Sequence, residues 1–369
     1  MGPHGTVTLL LAVFLAVSAF AGCMAVWNRI PGPGVLRHAG RAGMILCCQV
    51  TALALVGLLI NNARGFYGTW AEVSADFFGT SFDDGGGMQS TVGGGGGGGG
   101  KGVGPVGRGP LTQKHFKVDS GRKSMEAKFT GPASHVTGRV VIYLPPDYKK
   151  DANATYPVVQ LFGGTPGEPT TWYGDLNVGN QLDRMIKDRK VKPFILVSAS
   201  INVAGGKPNE CTDIPGQVPV ATWLTKDVRD FMYQNFRVKT DAASWATMGY
   251  SEGAYCAVKF PLQHPNLYRT GVGIAGTYES TNPAIAHNPK LLKSNAPYEL
   301  LAKAPAVRLL LTTGGKDPEA PPAEIDKFSG HVRPPTTATK YTTRLGEHGT
   351  VVWRNMLPFI FGWLNKQVS

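Results

Sequence analysis

A serine inside a Gly-x-Ser-x-Gly motif is the residue of this sequence best placed to do chemistry. The motif reads GYSEG at residues 249–253; it follows the strand-like residues 244–248 and opens the helical pattern of residues 252–263. A strand that turns sharply into a helix pushes the serine side chain out of the top of a sheet, and glycines relieve the crowding at the turn. We therefore interpret Ser251 as the candidate nucleophile and the N–H of Glu252 as a donor to the developing oxyanion.

A base and an acid follow in the order that this chemistry requires. His348 comes directly after the strand-like residues 341–345, and the acids Asp317 and Glu319 follow the strand-like residues 307–312. A neutral imidazole beside the hydroxyl accepts its proton, and a carboxylate holds the imidazole in one tautomer. We expect His348 as the base and Asp317 as the acid, with Glu319 as the alternative acid two residues further along the same loop.

The second oxyanion donor should lie in a glycine-rich loop after an early strand. The strand-like residues 158–162 lead into Gly163-Gly164, where the absence of a side chain lets the backbone approach a ligand. We expect the N–H groups of Gly164 and Glu252 to form the oxyanion hole. This chemistry needs no metal and no cofactor.

These residues require a sheet that brings several strand ends to one edge. Short, apolar and often β-branched segments alternate with amphipathic helical segments, which predicts a mostly parallel sheet with helices on both faces. The predicted strands are residues 139–144, 158–162, 194–198, 244–248, 271–275, 307–312 and 341–345, and the predicted helices are residues 181–189, 222–235, 252–263 and 351–366. The order serine, acid, histidine predicts an α/β-hydrolase fold.

From about residue 112 onwards the chain resembles the esterase D and mycolyltransferase branch of the α/β-hydrolases, which includes secreted actinobacterial esterases. The motifs that carry the resemblance are LFGG at residues 161–164, TW at 171–172, DLN at 175–177, WLTKDV at 223–228, MGYSEGAYCA at 248–257, HP at 264–265 and EHGTVVW at 347–353. The resemblance implies the same roles for Ser251, His348, Gly164 and Glu252, and an acid at Asp317 or Glu319. It also implies acyl transfer to water or to a sugar hydroxyl.

The sequence departs from the mycolyltransferase pattern in two places. Gly349 and Thr350 occupy positions where mycolyltransferases carry serine and tryptophan, and the loop of residues 165–171 lacks their arginine. These departures weaken a mycolyl or trehalose assignment more than they weaken the assignment of the three catalytic residues.

Two uncharged apolar runs near the N-terminus predict a membrane anchor. Residues 6–27 and 42–63 are each long enough to cross a bilayer as a helix, and three arginines lie between them. Cytoplasmic loops are enriched in Lys and Arg, so the hairpin loop is expected inside and the rest of the chain outside. A signal peptide and a lipoprotein cleavage box at residues 20–23 are the alternatives.

Composition divides the chain into three predicted parts. Residues 1–64 form the anchor, residues 65–111 a juxtamembrane segment and flexible linker with an unbroken glycine run at 93–100, and residues 112–369 the catalytic domain. The net charge of +12 favours anionic surfaces. No nucleic-acid motif or dense Lys/Arg run is present, so nucleic-acid binding is not predicted.

Cys211 and Cys256 are the two cysteines of the predicted catalytic domain. Outside the cytoplasm they form a candidate disulfide, and two buried thiols are the alternative.

The sequence as a whole predicts a membrane-anchored serine esterase whose catalytic domain is extracellular and whose substrate is an ester, with an acylated sugar or a lipid as candidates. The alternatives are an acyltransferase to a carbohydrate or lipid hydroxyl and a non-catalytic envelope-binding module on the same fold. The oligomeric state is not predicted.

Overall fold

The computed structural model describes residues 6–31, 33–64, 70, 116–165, 167–203 and 209–368. The predicted juxtamembrane segment and glycine-rich linker, residues 65–111, lie outside the described residues except for Trp70. The chain divides into two compact units, of which the first contains the apolar N-terminal residues and the second contains the predicted catalytic domain.

The N-terminal unit contains two long apolar helices, α1 (Thr6–Val26) and α2 (Gly34–Arg64). Both are long and apolar enough to cross a membrane, a property that a signal sequence near an N-terminus shares. The second helix begins at Gly34, before the predicted apolar run at residue 42, and its first turns include the basic residues Arg37 and Arg41. Arg41 of α2 lies over the ring of Trp27, in the turn after α1, at 5.2 Å from its centroid.

The second unit is built on a nine-stranded sheet in the order β1-β2-β3-β5-β4-β6-β7-β8-β9. The strands are β1 (Lys117–Asp119), β2 (Ser124–Thr130), β3 (Thr137–Tyr143), β4 (Val158–Phe162), β5 (Ile195–Ala199), β6 (Trp245–Tyr250), β7 (Thr270–Ile274), β8 (Arg308–Thr313) and β9 (Thr337–Thr342). Strands β4 to β9 pair in parallel, whereas β1, β2 and β3 pair antiparallel and β3 joins β5 antiparallel. The predicted mostly parallel sheet is confirmed, and β1 and β2 were not predicted.

Helices cover both faces of this sheet. They are α3 (Val178–Lys187), α4 (Val228–Asn235), α5 (Glu252–Gln263), α6 (Pro283–Ala286), α7 (Pro289–Asn295), α8 (Pro297–Leu301), α9 (Pro322–Gly330) and α10 (Thr350–Gln367). A helical turn (Val220–Thr222) and a π-helical turn (Trp223–Asp227) precede α4. All four predicted helices are present, and the four short helices α6 to α9 were not predicted.

Two apolar clusters, one on each face of the sheet, form most of the core. One joins alternate strand residues such as Val159 and Met248 to α3 and α10, and the other joins residues such as Val158 and Phe162 to α4 and α5. Adjacent residues of β4 therefore belong to opposite clusters, as the two-fold side-chain alternation of a strand requires. A sheet buried on both faces explains why its strands read as continuous apolar runs.

Candidate active site

The turn between β6 and α5 holds Ser251 in a backbone conformation that non-glycine residues rarely adopt, with φ 54° and ψ −126°. Its neighbours must be glycine: a Cβ on Gly249 would lie 1.9 Å from the carbonyl oxygen of Gly253, and a Cβ on Gly253 would lie 2.2 Å from that of Phe162. The N–H of Ser251 donates to the carbonyl of Ile274 at 3.0 Å. The sequence motif thus folds as the strained strand-to-helix turn that exposes a serine side chain.

His348 lies between β9 and α10 and reaches Ser251 across the carboxyl edge of the sheet. Its Nε2 lies 3.1 Å from Ser251 Oγ, and its Nδ1 lies 2.9 Å from Asp317 Oδ2. The imidazole packs against the ring of Trp353 in a T-shaped arrangement, with 4.9 Å between ring centroids. An imidazole that donates from Nδ1 to the carboxylate leaves Nε2 free to accept the serine proton.

The two candidate acids reach opposite nitrogens of the imidazole. Asp317 follows β8, is buried, and also accepts the N–H groups of Glu319 at 2.9 Å and Ala320 at 2.8 Å. The carboxylate of Glu319 is half exposed, and its Oε2 lies 3.5 Å from Nε2, the nitrogen that faces Ser251. Only Asp317 therefore has the position that orients the imidazole through Nδ1.

Gly164 lies against the nucleophile, since a Cβ there would lie 3.0 Å from Ser251 Cβ. The amide of Asn202 donates to the carbonyls of Gly164 at 3.3 Å and Gly167 at 3.0 Å, which holds this loop in place. The next residue, Thr165, lines the cleft together with Glu252, so its N–H is an additional candidate oxyanion donor. Sequence reasoning missed both Thr165 and Asn202.

The side chain of Glu252 connects the turn after the nucleophile to the surrounding loops. It accepts the hydroxyl of Thr165 and the N–H groups of Asn209 and Glu210, the latter two at 3.1 Å. These hydrogen bonds hold Thr165 and residues 209–210 against the start of α5, where the backbone N–H of Glu252 lies.

The cleft above Ser251 has a volume of about 290 Å³, and its lining combines polar residue types with apolar surface. Four glutamates line it, namely Glu210, Glu252, Glu279 and Glu319. Three threonines, Thr165, Thr277 and Thr281, add hydroxyl groups, and Tyr255 and Ala275 add apolar surface. The aromatic residues Trp172 and Tyr173, which follow the glycine-rich loop, are buried in the core and do not line the cleft.

One wall of the cleft depends on Glu210, which is buried. Its carboxylate accepts the hydroxyl of Ser280 at 2.7 Å and the N–H groups of Thr281 at 2.7 Å and Asn282 at 2.8 Å. These contacts hold the loop that carries Thr281 along the cleft. Nothing in the sequence distinguishes Glu210 from a surface glutamate except its position beside Cys211.

A disulfide and a buried lysine hold this wall to the nucleophile helix. Cys211 and Cys256 are joined by a disulfide. Lys259, also on α5, donates to the carbonyls of Glu210 at 3.1 Å and Cys211 at 2.8 Å and to Thr212 Oγ1 at 2.7 Å. Burial lowers the pKa of Lys259 to about 7. A lone lysine within the apolar run AVKFPL was the available sequence signal for such a buried, satisfied amine.

Comparison with known proteins agrees with this architecture. The family model described as "Putative esterase" matches residues 136–363. An uncharacterized protein of Corynebacterium glutamicum is 26% identical over 244 residues, which cover 61% of this chain and 56% of the relative. The chain thus spans little more than half the length of this curated relative. Within the described residues, no group of three or more His, Cys, Asp or Glu side chains is arranged to hold a metal ion.

Solved structures share the fold at low identity. A ferulic acid esterase superposes with a TM-score of 0.56 at 16% identity, covering 66% of this chain and 97% of its own. An S-formylglutathione hydrolase from Agrobacterium tumefaciens gives 0.57 at 12% identity, covering 69% of this chain and 100% of its own. A fluorophosphonate-binding serine hydrolase of Staphylococcus aureus gives 0.54 at 15% identity, covering 66% and 98%.

The sheet, the nucleophile turn and the serine–histidine–aspartate geometry define a serine hydrolase of the α/β-hydrolase fold, which confirms the predicted fold class. Within that class the chain belongs to the esterase family whose model it matches.

Proposed function

We propose that this chain hydrolyses carboxylic esters through an acyl-enzyme on Ser251. The observation that carries the proposal is the continuous set of contacts from Ser251 Oγ through the imidazole of His348 to the buried carboxylate of Asp317, at 3.1 Å and 2.9 Å. In acyl transfer Ser251 gives up a proton, His348 accepts it, and Asp317 stabilises the imidazolium that results.

The reaction takes place in two halves. His348 Nε2 accepts the Ser251 proton as Oγ attacks the ester carbonyl, and the oxyanion accepts hydrogen bonds from the N–H of Glu252 and of Gly164 or Thr165. The imidazolium then protonates the departing alkoxide, which leaves the acyl group on Oγ. In the second half water attacks the acyl group as His348 removes its proton, and the imidazolium returns that proton to Ser251 Oγ as the carboxylic acid leaves. Asp317 stabilises the imidazolium in both halves.

The lining of the cleft combines apolar surface with carboxylates and hydroxyls. Four glutamates line it and Lys327 pairs with one of them, Glu279, so the carboxylates outnumber the cations there and disfavour anionic acyl or alcohol groups. The threonine hydroxyls and carboxylates also suit a hydroxyl-rich acceptor, so acyl transfer to a carbohydrate is the second candidate function. The two differ in whether an added sugar competes with water for the acyl-enzyme.

We further propose that residues 1–64 anchor the chain in a membrane with the catalytic domain outside the cytoplasm. The support is the pair of apolar helices, the three arginines between their apolar runs (Arg29, Arg37 and Arg41) and the disulfide, since disulfides persist in oxidising compartments. An accessibility tag at residues 31–40 should be protected in intact cells, and one at residues 93–100 should be exposed. Equal exposure of both tags contradicts this topology.

The proposed activity is tested with the purified full chain and p-nitrophenyl esters of graded acyl length. Ser251→Ala should lower kcat/KM by at least about four orders of magnitude while leaving the melting temperature nearly unchanged. Ser120→Ala, at an exposed serine in the turn after β1, is the matched control and should behave as the wild type. Equal activity of the Ser251 variant and the control would refute the assignment.

A further inference from the structure

Large apolar side chains are exposed beside the candidate base. In the described part of the second unit, four such side chains are exposed: Val118, Leu345, Val351 and Phe359. Leu345 and Val351 lie three residues before and three residues after His348, and they are 58% and 55% exposed. Single exposed apolar residues are common on protein surfaces, but these two lie three residues on either side of a histidine that lines the cleft.

Three of these side chains lie on the loop before α10 and on the exposed side of α10, next to the edge strand β9. The loop before α10 folds back onto the helix, since a Cβ on Gly346 would lie 2.8 Å from a methyl group of Val352. Val351 and Phe359 lie two turns apart on the exposed side of α10. The ring of Phe359 stacks on Tyr341 of the edge strand β9, at 4.0 Å between centroids and 15° between planes. We call Leu345, Val351, Phe359 and Tyr341 the rim surface.

The charged residues around the rim surface are mostly basic. Arg344 precedes Leu345, Arg354 follows Val351 by one turn of α10, and the N–H of Lys316 donates to the carbonyl of Gly346 at 3.0 Å. All three side chains are exposed, and so are two acids: Glu347, between Arg344 and Arg354, and Glu319, whose carboxylate lies 3.5 Å from His348 Nε2. Apolar side chains interspersed with Lys and Arg are the composition that binds an anionic lipid interface, because the apolar groups enter the acyl boundary while the cations contact headgroups.

We infer that the rim surface and its basic neighbours dock on an anionic lipid surface, which brings the mouth of the cleft to esters held in that surface. A lipid surface is the occupant that the chain itself supports, because the same chain carries two helices long and apolar enough to cross a bilayer. The choice of a membrane-held ester as substrate rests on the proposed esterase activity. The docking itself does not.

Docking is tested on the full chain in nanodiscs with a photo-crosslinking benzoylphenylalanine at position 351 or at position 152. Ala152 is exposed in the loop before the amino end of β4, at the edge of the sheet opposite the cleft, and serves as the matched control. In nanodiscs of phosphatidylcholine and phosphatidylglycerol at 3:1, lipid adducts should form at position 351 at least fivefold more than at position 152. The excess should fall in pure phosphatidylcholine.

Equal lipid adducts at the two positions would overturn the proposal. Adducts at position 351 that join two protein chains instead of protein and lipid would also overturn it, because they would show a second copy on this surface.

The functional consequence is read from a ratio of two activities in the same nanodiscs. Turnover of a diacylglycerol held in the nanodisc, divided by turnover of soluble p-nitrophenyl butyrate, should fall at least fivefold in the double variant Leu345→Ser/Val351→Ser. Val118→Ser, at an equally exposed valine on β1, should change the ratio less than twofold. An unchanged ratio in the double variant would contradict the inference. A wild type inactive on both esters would refute the esterase proposal, and the crosslinking would still decide the docking.

Discussion

Replacing each candidate acid by its amide separates their roles sharply. Asp317→Asn keeps the shape of a side chain whose two oxygens lie 3.1 Å and 2.9 Å from His348 Nδ1. The amide either turns its NH₂ group towards Nδ1 or no longer favours the tautomer with the proton on that nitrogen, so Nε2 ceases to be the acceptor for the Ser251 proton. Glu319→Gln is the matched control because it makes the same chemical change two residues away on the same loop.

The expected sizes of the two effects differ by orders of magnitude. The corresponding aspartate-to-asparagine change in a serine protease costs about 10⁴ in kcat, which is about 5.4 kcal/mol at roughly 1.36 kcal/mol per tenfold. The Glu319 carboxylate is 49% exposed and lies 3.5 Å from Nε2. An exposed ion pair contributes at most about 1 kcal/mol, so Glu319→Gln should change kcat less than about fivefold.

The assay is steady-state hydrolysis of a p-nitrophenyl ester at pH 7 to 8, with thermal melting to show that both variants are folded. We expect Asp317→Asn to lose about four orders of magnitude in kcat and Glu319→Gln to remain close to the wild type. The reverse pattern would move the acid to Glu319 and would refute the reasoning from the Nδ1 contacts. Two mild variants would mean that neither carboxylate orients His348.

Three further changes test the surroundings of the site. The double variant Cys211→Ser/Cys256→Ser removes a crosslink that spans 45 residues and should lower the free energy of unfolding by about 2–4 kcal/mol in chemical denaturation; a loss below about 1 kcal/mol would contradict this. Because burial lowers the pKa of Lys259 to about 7, the unfolded chain binds more protons at this residue than the folded chain between about pH 7 and the ordinary pKa near 10.4. The free energy of unfolding of the wild type, relative to that of Lys259→Met, should therefore rise with pH across that window. A flat or falling difference would show that the amine is charged when buried. Since four glutamates line the cleft, kcat/KM for p-nitrophenyl acetate should exceed that for the anionic p-nitrophenyl hemisuccinate by at least tenfold at low salt. Adding 0.5 M salt should reduce this difference, because salt screens the carboxylates. Equal kcat/KM values at low salt would argue against a negative cleft.

The central part of the fold could be read from the sequence because its strands are buried on both faces. The strand β4 and the helix α5 occupy the predicted residues, and the other core elements shift by a few residues at their ends. The strands β1 and β2 were missed because they are short or half polar and lie at the antiparallel edge of the sheet. The short helices α6 to α8 have too few residues for a periodic pattern, although Asn282 and Asn288 cap two of them before a proline.

Some residues of the candidate site could also be located from the sequence, and others could not. Ser251 and His348 could be located because a turn motif and the order of elements mark their positions. Asp317 was expected as the acid with Glu319 as the alternative, because both follow the same strand and only the three-dimensional path of the loop decides which nitrogen of His348 each one meets. The polar cleft wall escaped prediction because Glu210 and Lys259 act through contacts with residues far away in the sequence.

Trapping the acyl group on the protein tests the proposed mechanism most directly. The full chain is mixed with p-nitrophenyl acetate, stopped in acid within the first turnover, reduced and digested with trypsin. Cleavage after Lys239 and Lys259 releases residues 240–259, which contain Ser251. We predict one acetyl group on this peptide, assigned to Ser251 by fragmentation and absent in Ser251→Ala. An acetyl group on another residue, or turnover with no acylated peptide at any time, would contradict an acyl-enzyme on Ser251.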